Sequence, residues 1–227
     1  MRGGVLWEKK SLGPGPTKLI GGNEEAGFYG ECPASELITG DELAKMIGLT
    51  EGTAQNLEEP WLKFAYMGKV EFVAKKTFRR TVTMSSIIKS NAVTGQRTIN
   101  IGDKTYKIRL MKGKTEGKQN DIGSYQGDIC KNSEWNKLML PIHKNAPSSW
   151  IYPNNVNSPT ENWNVGYTDD DLISDYGYYS LCQEYAIHDI SYLCRGGKNI
   201  SNSSYTYVTG TKYNIQYGWR PVLELVD

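Results

Sequence analysis

The run Gln216-Tyr-Gly-Trp-Arg-Pro-Val-Leu-Glu-Leu225 constrains this chain most, because an alternating apolar segment lies two residues from the last position. Side chains of a strand alternate between faces, so Trp219, Pro221, Leu223 and Leu225 share one side. A free tail would be polar and frayed. The segment is therefore expected to be a core strand, with Trp219 and Leu223 joining Trp61 and Trp135 as structural core. Arg220, on the other face, is expected to serve a salt bridge or a neighbour. The stretch before it, Tyr176 to Tyr217, is crowded with Tyr, Ser, Asn and Gly. A rigid closing strand behind an adaptable aromatic surface is the expected plan.

The tyrosines carry the compositional skew: 15 Tyr against 4 Phe, with ten of the Tyr between Tyr167 and Tyr217. A Tyr hydroxyl needs a polar partner, which favours surface contacts over all-purpose core packing. Tyr with Ser, Gly and Asn is also the composition of binding loops. Tyr178, Tyr179, Tyr192, Tyr205, Tyr207, Tyr213 and Tyr217 are accordingly the candidate contact residues, for a receptor or for a neighbouring subunit.

With 227 residues and a formal charge of +1, the chain suits one large domain, or one domain with a small appendage. It can bury a core without staples. Balanced charge argues against a nucleic-acid or membrane-surface partner. No run reaches the roughly 18 apolar residues of a membrane span. The first ten residues lack the apolar region of a signal peptide, so Sec export is not expected.

Three segments follow from local patterns. Residues 1–33 read as an extended arm, broken at Leu12-Gly-Pro-Gly-Pro16. Trp7, Leu19, Ile20, Phe28 and Tyr29 are candidate docking anchors in it, since a disordered tail would shed such residues. The arm either docks on a neighbour or folds over its own domain. Residues 34–60 hold a short helix, opened by the capping box Thr39-Gly-Asp-Glu42 and stopped at Gly48, and then a linker. From residue 61 to 227 the pattern is mainly β. Hairpins are expected around Met67-Gly68 and Gly102-Asp103, and short helices after Thr83, Ser133 and Thr168. The fold class is α+β, without internal repeats.

Each chemical motif has a plainer reading beside it. Asp169, Asp170 and Asp171 could ligate a hard cation, but they sit where a helix N-terminus welcomes carboxylates. Cys32, Cys130, Cys182 and Cys194 lack the spacing of a zinc or redox motif. Cys182 and Cys194 could bridge adjacent strands, or all four could be buried thiols. His143 and His188 have no nucleophile elbow beside them. Arg79-Arg80 reads as solvated charge guarding a strand edge. Neither catalytic residues nor a metal or other cofactor is expected.

An ordered set of motifs carries a resemblance. Trp61-Leu-Lys-Phe-Ala-Tyr66, Val73-Ala-Lys-Lys76, Asp103-Lys-Thr-Tyr-Lys-Ile-Arg-Leu-Met-Lys-Gly113, Ser133-Glu-Trp-Asn-Lys-Leu-Met139, Tyr167-Thr-Asp-Asp-Asp171, Ser180-Leu-Cys-Gln-Glu184 and Tyr217-Gly-Trp-Arg-Pro-Val-Leu-Glu-Leu225 occur in this order. With Glu31-Cys-Pro-Ala-Ser-Glu-Leu-Ile-Thr-Gly-Asp-Glu-Leu43, the set resembles tail-fibre and structural proteins of tailed-bacteriophage virions. More distantly, the module is similar to C-type-lectin-like folds of the kind shared by phage tropism determinants and formylglycine-generating enzymes. The resemblance implies a lectin-like domain displaying loops ahead of its terminal strand. It also implies attachment to other virion proteins through the arm, a homo-oligomer, a glycan or protein receptor on the host surface, and residence in the virion. Two alternatives stand beside host adhesion: a collar, decoration or connector protein with a Tyr-rich interface, and a cysteine oxidase of the formylglycine-generating kind. Glu134-Trp-Asn136 and Asn162-Trp-Asn164 only echo the calcium loops of lectins, so a calcium-bound sugar is not expected.

Overall fold

Local signals build the elements first. The computed structural model describes residues 11–115, 130–145, 161–174, 178–186, 191–207 and 217–226. Helix α1 (Gly40–Ile47) opens on the expected capping box: Glu42 N donates to Thr39 Oγ1 at 3.3 Å, and Thr39 N donates back to Glu42 Oε2 at 3.1 Å. It buries Leu43, Ala44 and Ile47 but leaves Met46 exposed. Helix α2 (Met84–Lys89) is capped by Thr83, and α3 (Glu134–Met139) by Ser133. Helix α4 is one turn, Asp169–Leu172.

Strands β4 (Trp61–Tyr66) and β5 (Lys69–Ala74) form the expected hairpin. Its turn residues Met67 and Gly68 both have positive φ, 49° and 72°, which matches the twist of the flanking strands. Strands β7 (Thr94–Ile101) and β8 (Lys104–Leu110) form the second hairpin. Shorter or later strands are β1 (Gly21–Gly22), β2 (Ala26–Cys32), β3 (Thr53–Ala54), β6 (Arg79–Arg80), β9 (Tyr179–Ala186), β10 (Ser191–Arg195) and β11 (Ser203–Tyr207).

Two sheets result. With β12 (Tyr217–Trp219) and β13 (Pro221–Val226), one has seven strands in the order β1-β2-β4-β5-β13-β8-β7, and the other has six, in the order β11-β10-β9-β12-β6-β3. The terminal run supplies a strand to each: β12 (Tyr217–Trp219) to the six-stranded sheet and β13 (Pro221–Val226) to the seven-stranded one. The expected single strand is therefore two, and the chain changes sheets at Arg220. Pro221 opens β13, a position where its missing N–H is tolerated. The β12–β9 pairing is parallel and the other strand pairings are antiparallel, so the fold is a mixed, sheet-rich α+β fold with few helices.

The seven-stranded sheet is covered on both faces. Phe72, Tyr106, Ile108, Leu223 and Leu225 enter one core, with Trp61, Trp219 and the buried residues of α1 and α2. Leu62, Phe64, Val73 and Val222 enter the other, with Trp135, Leu138 and Met139 of α3. Alternation along β4, β5 and β13 thus feeds two cores, rather than one core and solvent. The four residues expected as structural core, Trp61, Trp135, Trp219 and Leu223, are each 0% exposed.

Residues 11–32 are part of this domain. Phe28 and Tyr29 are 1% and 2% exposed, and β2 pairs with β4. They are core residues of their own sheet, so this part of the arm folds over its own domain. Leu19 is half-buried, Ile20 is exposed, and Trp7 lies outside the described residues. Residues 11–16 cross the sheet as a strap. Lys63 Nζ donates to the carbonyls of Pro14 and Pro16, both at 2.7 Å, while lying 5.3 Å and 5.5 Å from the ring centres of Tyr29 and Phe72. Gly15 has φ of 73°, and a Cβ there would stand 2.9 Å from Cys32 Cβ, so the strap lies flat only because this residue has none.

Candidate functional site

The tyrosines divide by their place in the six-stranded sheet. Tyr178 and Tyr217 are buried, and Tyr179 is half-buried with its ring 6.4 Å from that of Tyr217. Tyr178 and Tyr217 are packing residues, and Tyr179 packs part of its ring against the same core as Tyr217. Their rings complete the inner end of the sheet, where β12 runs beside β9. Tyr192 behaves differently. It stands directly opposite Tyr185 across the β9–β10 ladder, with ring centres 5.2 Å apart and a 60° tilt. Tyr185 is 41% exposed and Tyr192 half-buried against the core. The pair forms an aromatic ledge on two paired strands. Tyr205 and Tyr207 lie in β11, opposite Leu193 and Ser191, but their side chains are outside the described residues, as is Tyr213.

Tyr185 was missed among the candidates above, although a signal for it exists. Tyr179, Leu181, Gln183 and Tyr185 follow period two along β9. Tyr179 and Leu181 meet the core, and the same face runs on past its edge.

A second polar feature lies on the seven-stranded sheet. Glu224 stands opposite Glu71 on one side and Lys107 on the other, so the three form a row across β5, β13 and β8. Arg109, one row along, reaches all the nearby acids. Its Nη1 donates to both carboxylate oxygens of Glu134, at 2.9 Å and 3.0 Å. Its Nη2 donates to Glu71 Oε1 at 2.5 Å, and Nε lies 3.5 Å from Glu224 Oε2. Ser133 fixes this arrangement by starting α3 so that Glu134 points at the sheet. Burial opposes the charge on Arg109, but Glu134 and Glu71 outweigh it and raise the guanidinium above its ordinary value. Burial, reinforced by the Glu134 charge, pushes Glu71 well above the carboxylate range. Glu224 ends below its usual value because Lys69 and Arg109 overcome its partial burial. Lys69 Nζ donates to Glu224 Oε1 at 2.7 Å. Glu71 is 1% exposed and Glu134 is 1% exposed, so this cluster presents little acid to a bound molecule. It forms the floor of an open cleft.

The other motifs are used structurally. Asp171 Oδ2 accepts from Thr168 N and Oγ1, both at 2.7 Å, and Asp169 Oδ1 accepts from Ile200 N at 2.7 Å. The acidic triple is thus a helix start. Among the described residues there is no group of three potential metal ligands. All four cysteines are buried and free. Cys182 and Cys194 enter opposite cores, which rules out the bridge between them. Burial pushes Cys32 up to about 11 and raises Cys130 and Cys182 as well, the reverse of what thiolate chemistry needs. Arg195, next in sequence to Cys194, donates instead to Asn202 O, Gly113 O and Asn136 Oδ1. His143 is buried and accepts from Asn145 N through Nδ1; His188 is outside the described residues. Arg79 does not guard an edge. It is buried, and it ties the carbonyls of Thr50, Glu51 and Gly52 to β6.

No protein-family model, curated protein or solved structure matched the chain. No helix among the described residues is long and apolar enough to cross a membrane.

Proposed function

We propose that the chain is a structural component of a bacteriophage virion whose C-type-lectin-like domain adheres to the host surface. The observation that carries this reading is the Tyr185–Tyr192 ledge, an exposed ring beside a half-buried one, held on two hydrogen-bonded strands. Paired rings on rigid backbone offer contact area with little entropy to lose, which suits a sugar face or a protein side chain. The resemblance of the ordered motifs to phage fibre proteins supplies the setting. Weak single contacts would act together through several copies on a particle. The thiols do not favour the oxidase reading, because each is buried and burial raises Cys32, Cys130 and Cys182.

Adsorption competition tests the proposal. Purified protein, added in excess to host cells, is expected to reduce attachment of the phage that encodes it. The Tyr185→Ala/Tyr192→Ala double variant should compete at least tenfold less well. No competition at saturating protein would overturn adhesion. The same ledge also suits a subunit interface in a collar, decoration or connector protein. In that case the double variant would dissociate an oligomer seen by sedimentation, and competition would be absent.

A further inference from the structure

The two sheets end on β1, β7, β11 and β3. Strands β1 and β3 have two residues each and β11 has five, whereas β7 has eight. Short edge strands guard against association with other chains, as do Lys and Pro on the edge. Strand β7 has none of these guards: it is long, and it holds neither Lys nor Pro. Its one charged side chain, Arg97, is committed within the domain. Nη1 donates to the carbonyls of Ile47 and Ser90, at 2.8 Å and 3.0 Å, and Nη2 to that of Met46 at 3.1 Å.

The ladder with β8 fixes which backbone groups of β7 face outward. Ile101 and Lys104 close the two-residue turn, and Leu110 N donates to Val93 O at 3.0 Å. Lys104, Tyr106 and Ile108 therefore point at β7, where they meet Ile101, Ile99 and Arg97. Bonded and unbonded pairs alternate along an antiparallel ladder, so the N–H and C=O of Thr98 and Asn100 point away from β8. Among the described residues no strand lies beyond them. The pairing shifts between Thr94 and Arg97, and Gly95 has φ of 79°. That bulge leaves residues 97–101 as the regular part of the edge, with Ile99 at its midpoint.

We infer that two copies of this chain pair through β7, antiparallel, about a two-fold axis at Ile99. Thr98 then exchanges both backbone hydrogen bonds with the partner's Asn100, and Asn100 does so with the partner's Thr98. Ile99 faces the partner's Ile99, and Ile101 faces the partner's Arg97. This register uses the outward groups, avoids the bulge and sets no like charges opposite each other. The axis stands perpendicular to the sheet, so α1 and α2 of both copies lie on one face, either side of the seam. Arg97 holds the C-terminal ends of both helices to β7, and Met46 and Ile88 stand there 43% and 46% exposed. A stable interface buries roughly 1,200–2,000 Å². So short an edge falls below that alone, and the two apolar side chains add area beside it. A foreign strand would satisfy the same backbone groups, yet only a second copy brings a matching Met46 and Ile88 to the same face. The Tyr185–Tyr192 ledge lies on the other sheet, so this interface does not depend on host adhesion.

Sedimentation equilibrium of the whole chain tests the pairing. A dimer is expected, with a dissociation constant below about 100 μM. Thr98→Pro removes an outward N–H that the ladder with β8 does not use, and Met46→Glu places a charge at the seam without touching the strand. Each should weaken association at least tenfold and leave the circular dichroism of the wild type. Tyr185→Ala/Tyr192→Ala should leave the dimer intact. The Thr98→Cys/Asn100→Cys variant should form a disulfide between chains on mild oxidation, since bonded pairs stand about 5.5 Å apart. A chain that stays monomeric, or a dimer that Thr98→Pro and Met46→Glu leave unchanged, would overturn the interface. So would a dimer that the double tyrosine variant dissociates, or one that yields no cross-link. If the dimer behaves as expected while phage adsorption is not competed, the interface stands and the adhesin reading falls.

Discussion

The guanidinium of Arg220 lies 5.3 Å from the centre of the Trp135 ring, at the point where the chain leaves one sheet for the other. Arg195 approaches the same indole at 5.5 Å. Arg220 is 1% exposed and donates through Nη2 to the carbonyls of Lys75 and Leu172, yet no carboxylate pairs with it among the described contacts. Burial pushes its guanidinium down to about 9. The indole face therefore serves as a partner for a cation that has little else. Trp135→Ala should cost about 3–5 kcal/mol in urea denaturation. Arg220→Ala should cost at least about 3 kcal/mol, because two buried carbonyls lose their donor and a cavity opens. A double-mutant cycle should show the two changes coupled by about 1–2 kcal/mol; additive losses would mean that the stacking contributes nothing.

Lys63 gives the strap a pH signature. Burial pushes its ammonium down from 10.5 to about 8. Between those values the unfolded chain keeps a proton that the folded chain has shed, so this group's contribution to stability rises with pH across that window. Lys63→Met should abolish the contribution. The wild-type minus variant difference in unfolding free energy, measured at pH 7.5 and 9.5, is expected to grow with pH. A constant difference would refute the assignment.

Glu71 has the opposite sign. Its folded value is raised, so the folded chain holds a proton that the unfolded chain loses above 4.5. The stability this confers is complete below that pH and is lost as pH rises through the folded value. The Glu71→Gln variant does not titrate and keeps an uncharged amide beside Arg109. It should gain on wild type as pH rises above 4.5, judged by urea midpoints. Arg109→Leu, by contrast, should cost about 3–5 kcal/mol at pH 7, since it strands the buried Glu134 carboxylate.

The thiols make a direct prediction about redox state. A thiol reagent such as dithiobis(nitrobenzoate) should react slowly with native protein, and with four groups per chain after denaturation in urea. Fast reaction of any one thiol in the native state would point to an exposed cysteine. Two missing groups after denaturation would reveal a disulfide.

Local chemistry was legible before the structure, and long-range pairing was not. Thr39, Thr83, Ser133 and the turns at Met67-Gly68 and Gly102-Asp103 act through residues a few positions away, and each does what its spacing implied. The burial of Lys63 and Glu71 was not legible, for a physical reason. In Leu62-Lys63-Phe64 and Val70-Glu71-Phe72 the charge looks like the wet face of a half-buried strand, but both faces of this sheet are covered. The tyrosines misled similarly: composition says that they suit contacts, and only register says that Tyr178 and Tyr217 face inward while Tyr185 does not. The charged cleft was invisible because it joins β5, β8, β13 and α3, which are far apart along the chain.

The change of sheet at Arg220 also sets the order in which the molecule can be made. Strand β13 fills the gap between β5 and β8, and β12 fills the gap between β9 and β6. During synthesis both gaps stay open until residues 217–226 have left the ribosome, and loop-closure entropy makes such distant pairings slow to form. A transcript cut short just before Tyr217 therefore yields a chain with four unpaired strand edges, on β5, β8, β9 and β6, and proteases would remove it.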